Sequence, residues 1–128
     1  MEFPRESPFS PVPPDRVVAE TERCLAFLDR FPLTEGHTLV VPKIVVASLF
    51  ELEPAWQAAL WALVATAHAR LLERFRPDGF NLGLNDGAAA GQTVPHVHIH
   101  IIPRYRGDVP DPRGGVRWIL PERAAYWK

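Results

Sequence analysis

The feature that most constrains this chain is the stretch His96-Val97-His98-Ile99-His100-Ile101-Ile102. Histidine alternates with apolar, mostly β-branched residues. Successive side chains of a strand point to opposite faces, so the alternation predicts a β-strand. Val97, Ile99 and Ile101 then face a core. His96, His98 and His100 stand in a row on the other face, roughly 7 Å apart at the rise of a strand. Three of the chain's 5 histidines fall here, and a row of imidazoles packs a core poorly, so that face points to chemistry.

The rest of the composition narrows the class. At 128 residues the chain is one domain by length and can bury a sizeable core. A net charge of −1 excludes a general affinity for nucleic acid or an anionic membrane surface. The single cysteine, Cys24, excludes an internal disulfide and fits a reducing compartment. Met1 to Phe9 carries prolines and glutamates without an apolar centre, unlike a secretory signal. The apolar run around Ala58 to Ala67 is too short to span a bilayer. The expectation is a soluble, cytoplasmic protein.

In chain order, residues 1–15 are proline-rich and expected to be extended, lying over the domain. Arg16 to Glu20 and Cys24 to Leu28 read as a β-hairpin, broken by Asp29-Arg30-Phe31-Pro32. After a turn at Thr34-Glu35-Gly36, His37 to Val41 is a third strand ended by Pro42, and Val45 to Leu52 is a short helix. Pro54 opens a long helix to about Phe75, whose buried stripe is Trp56, Leu60, Leu63, Val64, Ala67, Leu71 and Phe75. Phe80 to Asn85 is a fourth strand, and Asp86 to Thr93 is a loop of small residues. The histidine strand follows, ended by Pro103, and residues 108–128 read as an irregular tail. The domain proper is 16–107. Strands first, then one helix, then two more strands predict an α+β fold: an antiparallel sheet backed by one long helix.

Three readings of the histidine face compete. Plain surface histidines are the least consistent with three in register behind a glycine loop. A metal site is the second, with two strand histidines and His37 as ligands. All three strand histidines cannot share one ion, because His96 and His100 lie about 13 Å apart on a straight strand. Nucleophilic catalysis is the third. A neutral imidazole attacks phosphorus well, and neighbouring imidazoles suppress one another's protonation. His98, flanked on both sides, is the natural nucleophile. Gly87 to Gly91 carries no large side chain, so its backbone N–H groups can approach a phosphate. Metal and nucleophile remain level on this ground alone.

The segment Gly91-Gln92-Thr93-Val94-Pro95-His96-Val97-His98-Ile99-His100-Ile101-Ile102-Pro103-Arg104 closely resembles the signature of the histidine-triad nucleotide hydrolases and transferases. Cys24 to Asp29 and Gly36 to Lys43 resemble that family's nucleoside-binding hairpin and following strand, so the similarity covers residues 7–107. The resemblance implies a five-stranded antiparallel sheet with one long and one short helix, paired into a homodimer. It implies a nucleotide substrate cleaved at the α-phosphorus through a nucleotidyl-histidine on His98. His96 would orient His98, His100 would contact the phosphate or leaving group, and His37 would support the cluster. Asp29 would bind the ribose hydroxyls, and Phe27, Phe9 and Val12 would line the base pocket. Asn85, Gly91, Gln92 and Thr93 would contact phosphate, with Gln92 bridging to the leaving group.

Gln92-Thr93 before the triad and Pro103-Arg104 after it resemble the dinucleoside polyphosphate branch more than the phosphoramidate branch. The alternatives are a phosphoramidate or aminoacyl-adenylate hydrolase using the same histidine, or a non-catalytic nucleotide sensor. No tightly bound cofactor is implied beyond Mg2+ carried by a polyphosphate substrate. Many relatives carry Cys-x-x-Cys as half of a structural zinc site, where this chain has Ser7 and Ser10. Hydroxyls are poor zinc ligands beside thiolates, so no structural zinc is expected. Arg113 and Arg117 either reach a distal phosphate or are surface arginines of the tail.

Overall fold

The runs of β-branched and apolar residues read from the sequence fold as strands, and the computed structural model describes all of residues 1–128. The strands are β1 (Val17–Glu20), β2 (Cys24–Leu28), β3 (Thr38–Pro42), β4 (Gly79–Gly83) and β5 (Ile99–Arg104). They form one antiparallel sheet in the order β1-β2-β3-β5-β4. The strand carrying His100 thus lies inside the sheet, where both neighbours hold it: His100 pairs with Leu39 of β3 and Gly83 of β4.

Helix α1 (Pro54–Phe75) covers one face of the sheet. Proline is tolerated at the first helical position, where its missing N–H costs nothing. The helix ends at Arg76, which adopts a left-handed conformation and donates its N–H to the Leu72 carbonyl. Pro77 cannot continue the helix. Leu60, Leu63, Val64, Ala67 and Leu71 are buried against Ala26, Val40, Val97, Ile99 and Ile101. Each fully buried leucine contributes about 1.5–3 kcal/mol.

The opposite face of the sheet carries Leu25, Phe27, Leu39 and Val41, with Phe3, Phe9, Val12 and Val17 packed on them. The proline-rich N-terminal segment therefore forms the roof of the second face.

The structure differs from the sequence reading at several edges. The histidine strand begins at Ile99, so His96 and His98 precede it and only His100 sits within it. Pro103 does not end β5. It pairs with Phe80 on the last rung but one, where a missing N–H is tolerated, and the strand runs on to Arg104. Pro42 likewise closes β3 from within, opposite Cys24. β4 starts at Gly79 and ends at Gly83, short of Asn85. The helix expected over Val45 to Leu52 is a single 3-10 turn, Leu49–Glu51, capped reciprocally by Ser48 and Glu51. The tail is less irregular than expected: Gly115–Ile119 is a 3-10 turn and α2 spans Pro121–Ala124.

Candidate active site

The hairpin β1–β2 and the N-terminal segment build a cavity of about 380 Å³ over the second sheet face. Its floor is Phe27 and Leu39, and one wall is Pro8 to Pro11. Phe9 packs on Phe27 at a centroid distance of 5.5 Å. Arg16 donates from Nε and Nη2 to the Leu28 carbonyl, 3.0 and 2.8 Å away, and its guanidinium lies 5.6 Å from the Phe27 ring centre. At the other end the cavity meets Asp29, Asn85, Gly91, Thr93, His98 and His100. An apolar, aromatic slot that opens onto polar groups suits a planar base joined to a sugar phosphate.

The hydrogen bonds assign the protons on the histidines. A backbone N–H only donates and a backbone carbonyl only accepts. His98 Nδ1 is 2.8 Å from the His96 carbonyl, so Nδ1 carries the proton and Nε2 keeps a free lone pair. Leu33 N–H donates to His37 Nδ1 at 3.0 Å, so the His37 proton sits on Nε2. His37 Nε2 then donates to His100 Nδ1 at 2.9 Å, which leaves His100 with a proton on Nε2. His98 thus presents a bare Nε2 lone pair and His100 an Nε2–H donor. Their ring centres are 5.1 Å apart, nearer than the rise of a straight strand implies.

For His37, His96 and His100, burial favours the neutral ring. Burial lowers the pKa of His37 and of His96, and lowers that of His100 to about 4, where the neighbouring His98 and His37 add to the effect. Asp29 Oδ2 lies 3.6 Å from His37 Nε2, but burial outweighs its pull on that ring. The contact is therefore charge to dipole, not an ion pair. Asp29, His37 and His100 bring three donor atoms within 4.8 Å of one another, as a metal site would. The wiring opposes that use: a metal on His37 Nε2 would move its proton to Nδ1, against the Leu33 N–H.

The cavity brings together Asp29, Phe27, Phe9, Asn85, Gly91, Thr93, His98 and His100 of the residues singled out in the sequence. His37 stands behind His100. Asp29 plays two parts, since its Oδ1 caps the Phe31 N–H while Oδ2 stays toward the histidines. His96 is fully buried outside the cavity. Val12 lies in a neighbouring groove with Phe3, Val17 and Leu25, not in the base slot. Gln92 is a brace: its Oε1 accepts from Gly87 N–H, and its Nε2 donates to the Ala47 and Val94 carbonyls. Both of its N–H donors are committed, so it has none left to offer a leaving group. Arg113 and Arg117 stay in the tail, on Asp111 and on the Ala124 and Arg123 carbonyls. Sequence reasoning missed Arg16 and the Leu33 N–H. The hairpin register, which sets Val17 opposite Phe27, was the available signal for Arg16. A backbone donor leaves no signal in residue type.

Comparison with known proteins agrees with this geometry. The family described as HIT domain matches residues 10–107. The adenylylsulfatase HINT3 of Arabidopsis thaliana is 43% identical over 89 residues, which are 70% of this chain and 45% of that protein. The asymmetrical bis(5'-nucleosyl)-tetraphosphatase of Schizosaccharomyces pombe is 38% identical over 107 residues, 83% of this chain and 59% of that protein. The chain thus spans less than two thirds of either relative. The crystal structure of a HIT family protein from Bacillus anthracis superposes with a TM-score of 0.69 at 43% identity, over 72% of this chain and 65% of that one. With most of its length matched by that family, and His98 and His100 at the mouth of the aromatic cavity, this chain belongs to the HIT domain family.

Proposed function

We propose that the protein hydrolyses adenine dinucleoside polyphosphates at the α-phosphorus and releases AMP. The observation that carries this reading is the wiring of His98: Nδ1 is tied to the His96 carbonyl, and Nε2 is free beside the cavity. In the proposed reaction the Nε2 lone pair forms a bond to phosphorus as the bond to the leaving phosphate oxygen breaks. The His100 Nε2–H hydrogen-bonds the phosphate or the departing oxygen. Water then attacks the nucleotidyl-histidine, the N–P bond breaks, and AMP leaves with the imidazole restored. Asp29 accepts from the ribose hydroxyls, and Phe9 and Phe27 enclose the base.

A second reading keeps His98 and changes the leaving group to the amine of a nucleoside phosphoramidate or the carboxylate of an aminoacyl-adenylate. It is favoured by the relative named as an adenylylsulfatase, while the relative named as a tetraphosphatase favours the first. The proposal includes no tightly bound cofactor, with Mg2+ arriving on the polyphosphate. It includes no structural zinc, because the Ser7 hydroxyl is committed to His96 and Phe9; stoichiometric zinc in the purified protein would overturn that. A homodimer is also part of it. Edge strand β4 and the tail expose Leu82, Val116, Ile119 and Leu120 side by side along an open groove. No helix is long and apolar enough to cross a membrane, and the proposed setting is the cytoplasm.

The test is hydrolysis of diadenosine triphosphate, diadenosine tetraphosphate and an adenosine phosphoramidate side by side, with His98→Ala as control. AMP release from a dinucleotide that falls at least a thousandfold in His98→Ala, with nucleotide binding retained, is the expected result. Preference for the phosphoramidate selects the second reading. An unimpaired His98→Ala overturns the mechanism.

A further inference from the structure

His96 faces away from the cavity, yet it makes the shortest side-chain contact among the histidines. Ser7 Oγ lies 2.6 Å from His96 Nδ1, and both residues are buried, at 4% and 0% exposure. On its other side His96 Nε2 lies 2.8 Å from the Pro42 carbonyl. A carbonyl only accepts, so His96 Nε2 carries the proton, and Nδ1 is an acceptor. The Ser7 hydroxyl must therefore donate to it. The same oxygen accepts from the Phe9 N–H at 3.1 Å. The proton order runs in one direction: Phe9 N–H to Ser7 Oγ, Ser7 O–H to His96, His96 Nε2–H to Pro42.

Two contacts of His98 hang from this chain. The His96 carbonyl accepts the His98 Nδ1–H, and the next amide of that peptide, Val97 N–H, is held by the Val46 carbonyl at 2.8 Å. Phe9, two residues from Ser7, meets the His98 ring edge to face at 5.1 Å. Ser7 is itself fastened in the N-terminal segment, with its N–H on the Pro4 carbonyl and its carbonyl accepting from Ser10.

We infer that Ser7 is a positioning residue: its hydroxyl joins the N-terminal segment to His96 and so holds His98 with its proton on Nδ1 and its nucleophilic nitrogen bare. The proposal rests on the reading of His98 as the nucleophile. Free imidazole places its proton on either nitrogen. Loosening the His96 carbonyl lets the His98 proton move to Nε2, which removes the attacking lone pair. Ser7 touches no substrate in this account, so its loss acts on the chemical step.

The test uses the full chain with Ser7→Ala and Ser7→Thr, and nitrogen-15 NMR of the imidazole rings without substrate. In the unaltered protein, His96 is expected to show a bare, hydrogen-bonded Nδ1 and a protonated Nε2, and His98 the reverse. In Ser7→Ala the two His98 nitrogen signals move toward each other as the tautomers mix. The kcat for AMP release falls about tenfold, while KM changes less than twofold. Ser7→Thr, which keeps the hydroxyl, restores the His98 signals and most of kcat. A protonated His96 Nδ1 in the unaltered protein overturns the inference even if Ser7→Ala fails to fold, as do unchanged His98 signals and kcat in a folded Ser7→Ala. Absence of turnover in the unaltered protein, with the NMR pattern as expected, counts against the proposed function and leaves the Ser7 linkage standing.

Discussion

At the scale of single residues, the site depends on keeping imidazoles neutral. His37, His96 and His100 are each held below the ordinary histidine pKa of 6.5, chiefly by burial, and His100 reaches about 4. The unfolded chain therefore takes up protons near pH 6.5 that the folded chain refuses. Stability is full above that pH and is lost as pH falls toward 4, since the unfolded state binds more protons across the window. For His100 alone the loss by pH 5 is about 2 kcal/mol, at 1.36 kcal/mol per pKa unit. Thermal melts are expected to fall by several degrees between pH 7 and pH 5, before carboxylates titrate strongly. A melting temperature that is flat over that range would refute the buried neutral cluster. Cys24 behaves as a packing residue: burial pushes its thiol up to about 11, so it stays protonated and inert.

At the scale of elements, the turn before β3 couples the helix to the site. Gly36 has φ +90°, a left-handed conformation, and a Cβ there would stand 2.8 Å from Phe75 Cδ2 and 3.2 Å from Pro103 Cγ. The turn thus fits under the end of α1 and beside β5 only with glycine, and it delivers His37 to His100. Gly36→Ala is expected to cost about 1–3 kcal/mol from backbone strain alone, read as a lower denaturant midpoint, with kcat reduced as His37 shifts. An unchanged midpoint would mean that the turn relaxes freely. The long helix and the strands were readable in advance because they rest on periodicity, which survives in one dimension, whereas the strand order β1-β2-β3-β5-β4 was not. The helix expected over Val45 to Leu52 does not form. Leu49 and Leu52 are buried around a single 3-10 turn while Phe50 stays exposed, without helical repetition.

At the scale of the whole molecule, the sheet ends at β4 beside exposed Leu82, Val116, Ile119 and Leu120. An apolar edge of this kind is covered in most stable proteins. Sedimentation is expected to give a dimer at micromolar concentration, and Ile119→Asp with Leu120→Asp is expected to shift it to monomer. A monomer in both would overturn the pairing. What this chain's residues declared in one dimension was its fold class and the place of its candidate site. Alternation marked β5, helical spacing marked α1, and the density of histidines marked His98 and its neighbours. Those signals are local, and local pattern is readable without contacts. What needed three dimensions was the state of the histidines around His98, whose own proton is set by the His96 carbonyl two residues before it. For His96 and His100, which nitrogen carries a proton is set by partners 89, 63 and 54 residues away in the chain, and for His37 by a bare backbone amide at Leu33. Residue type fixes what a group can donate or accept, whereas folding decides which partner it meets.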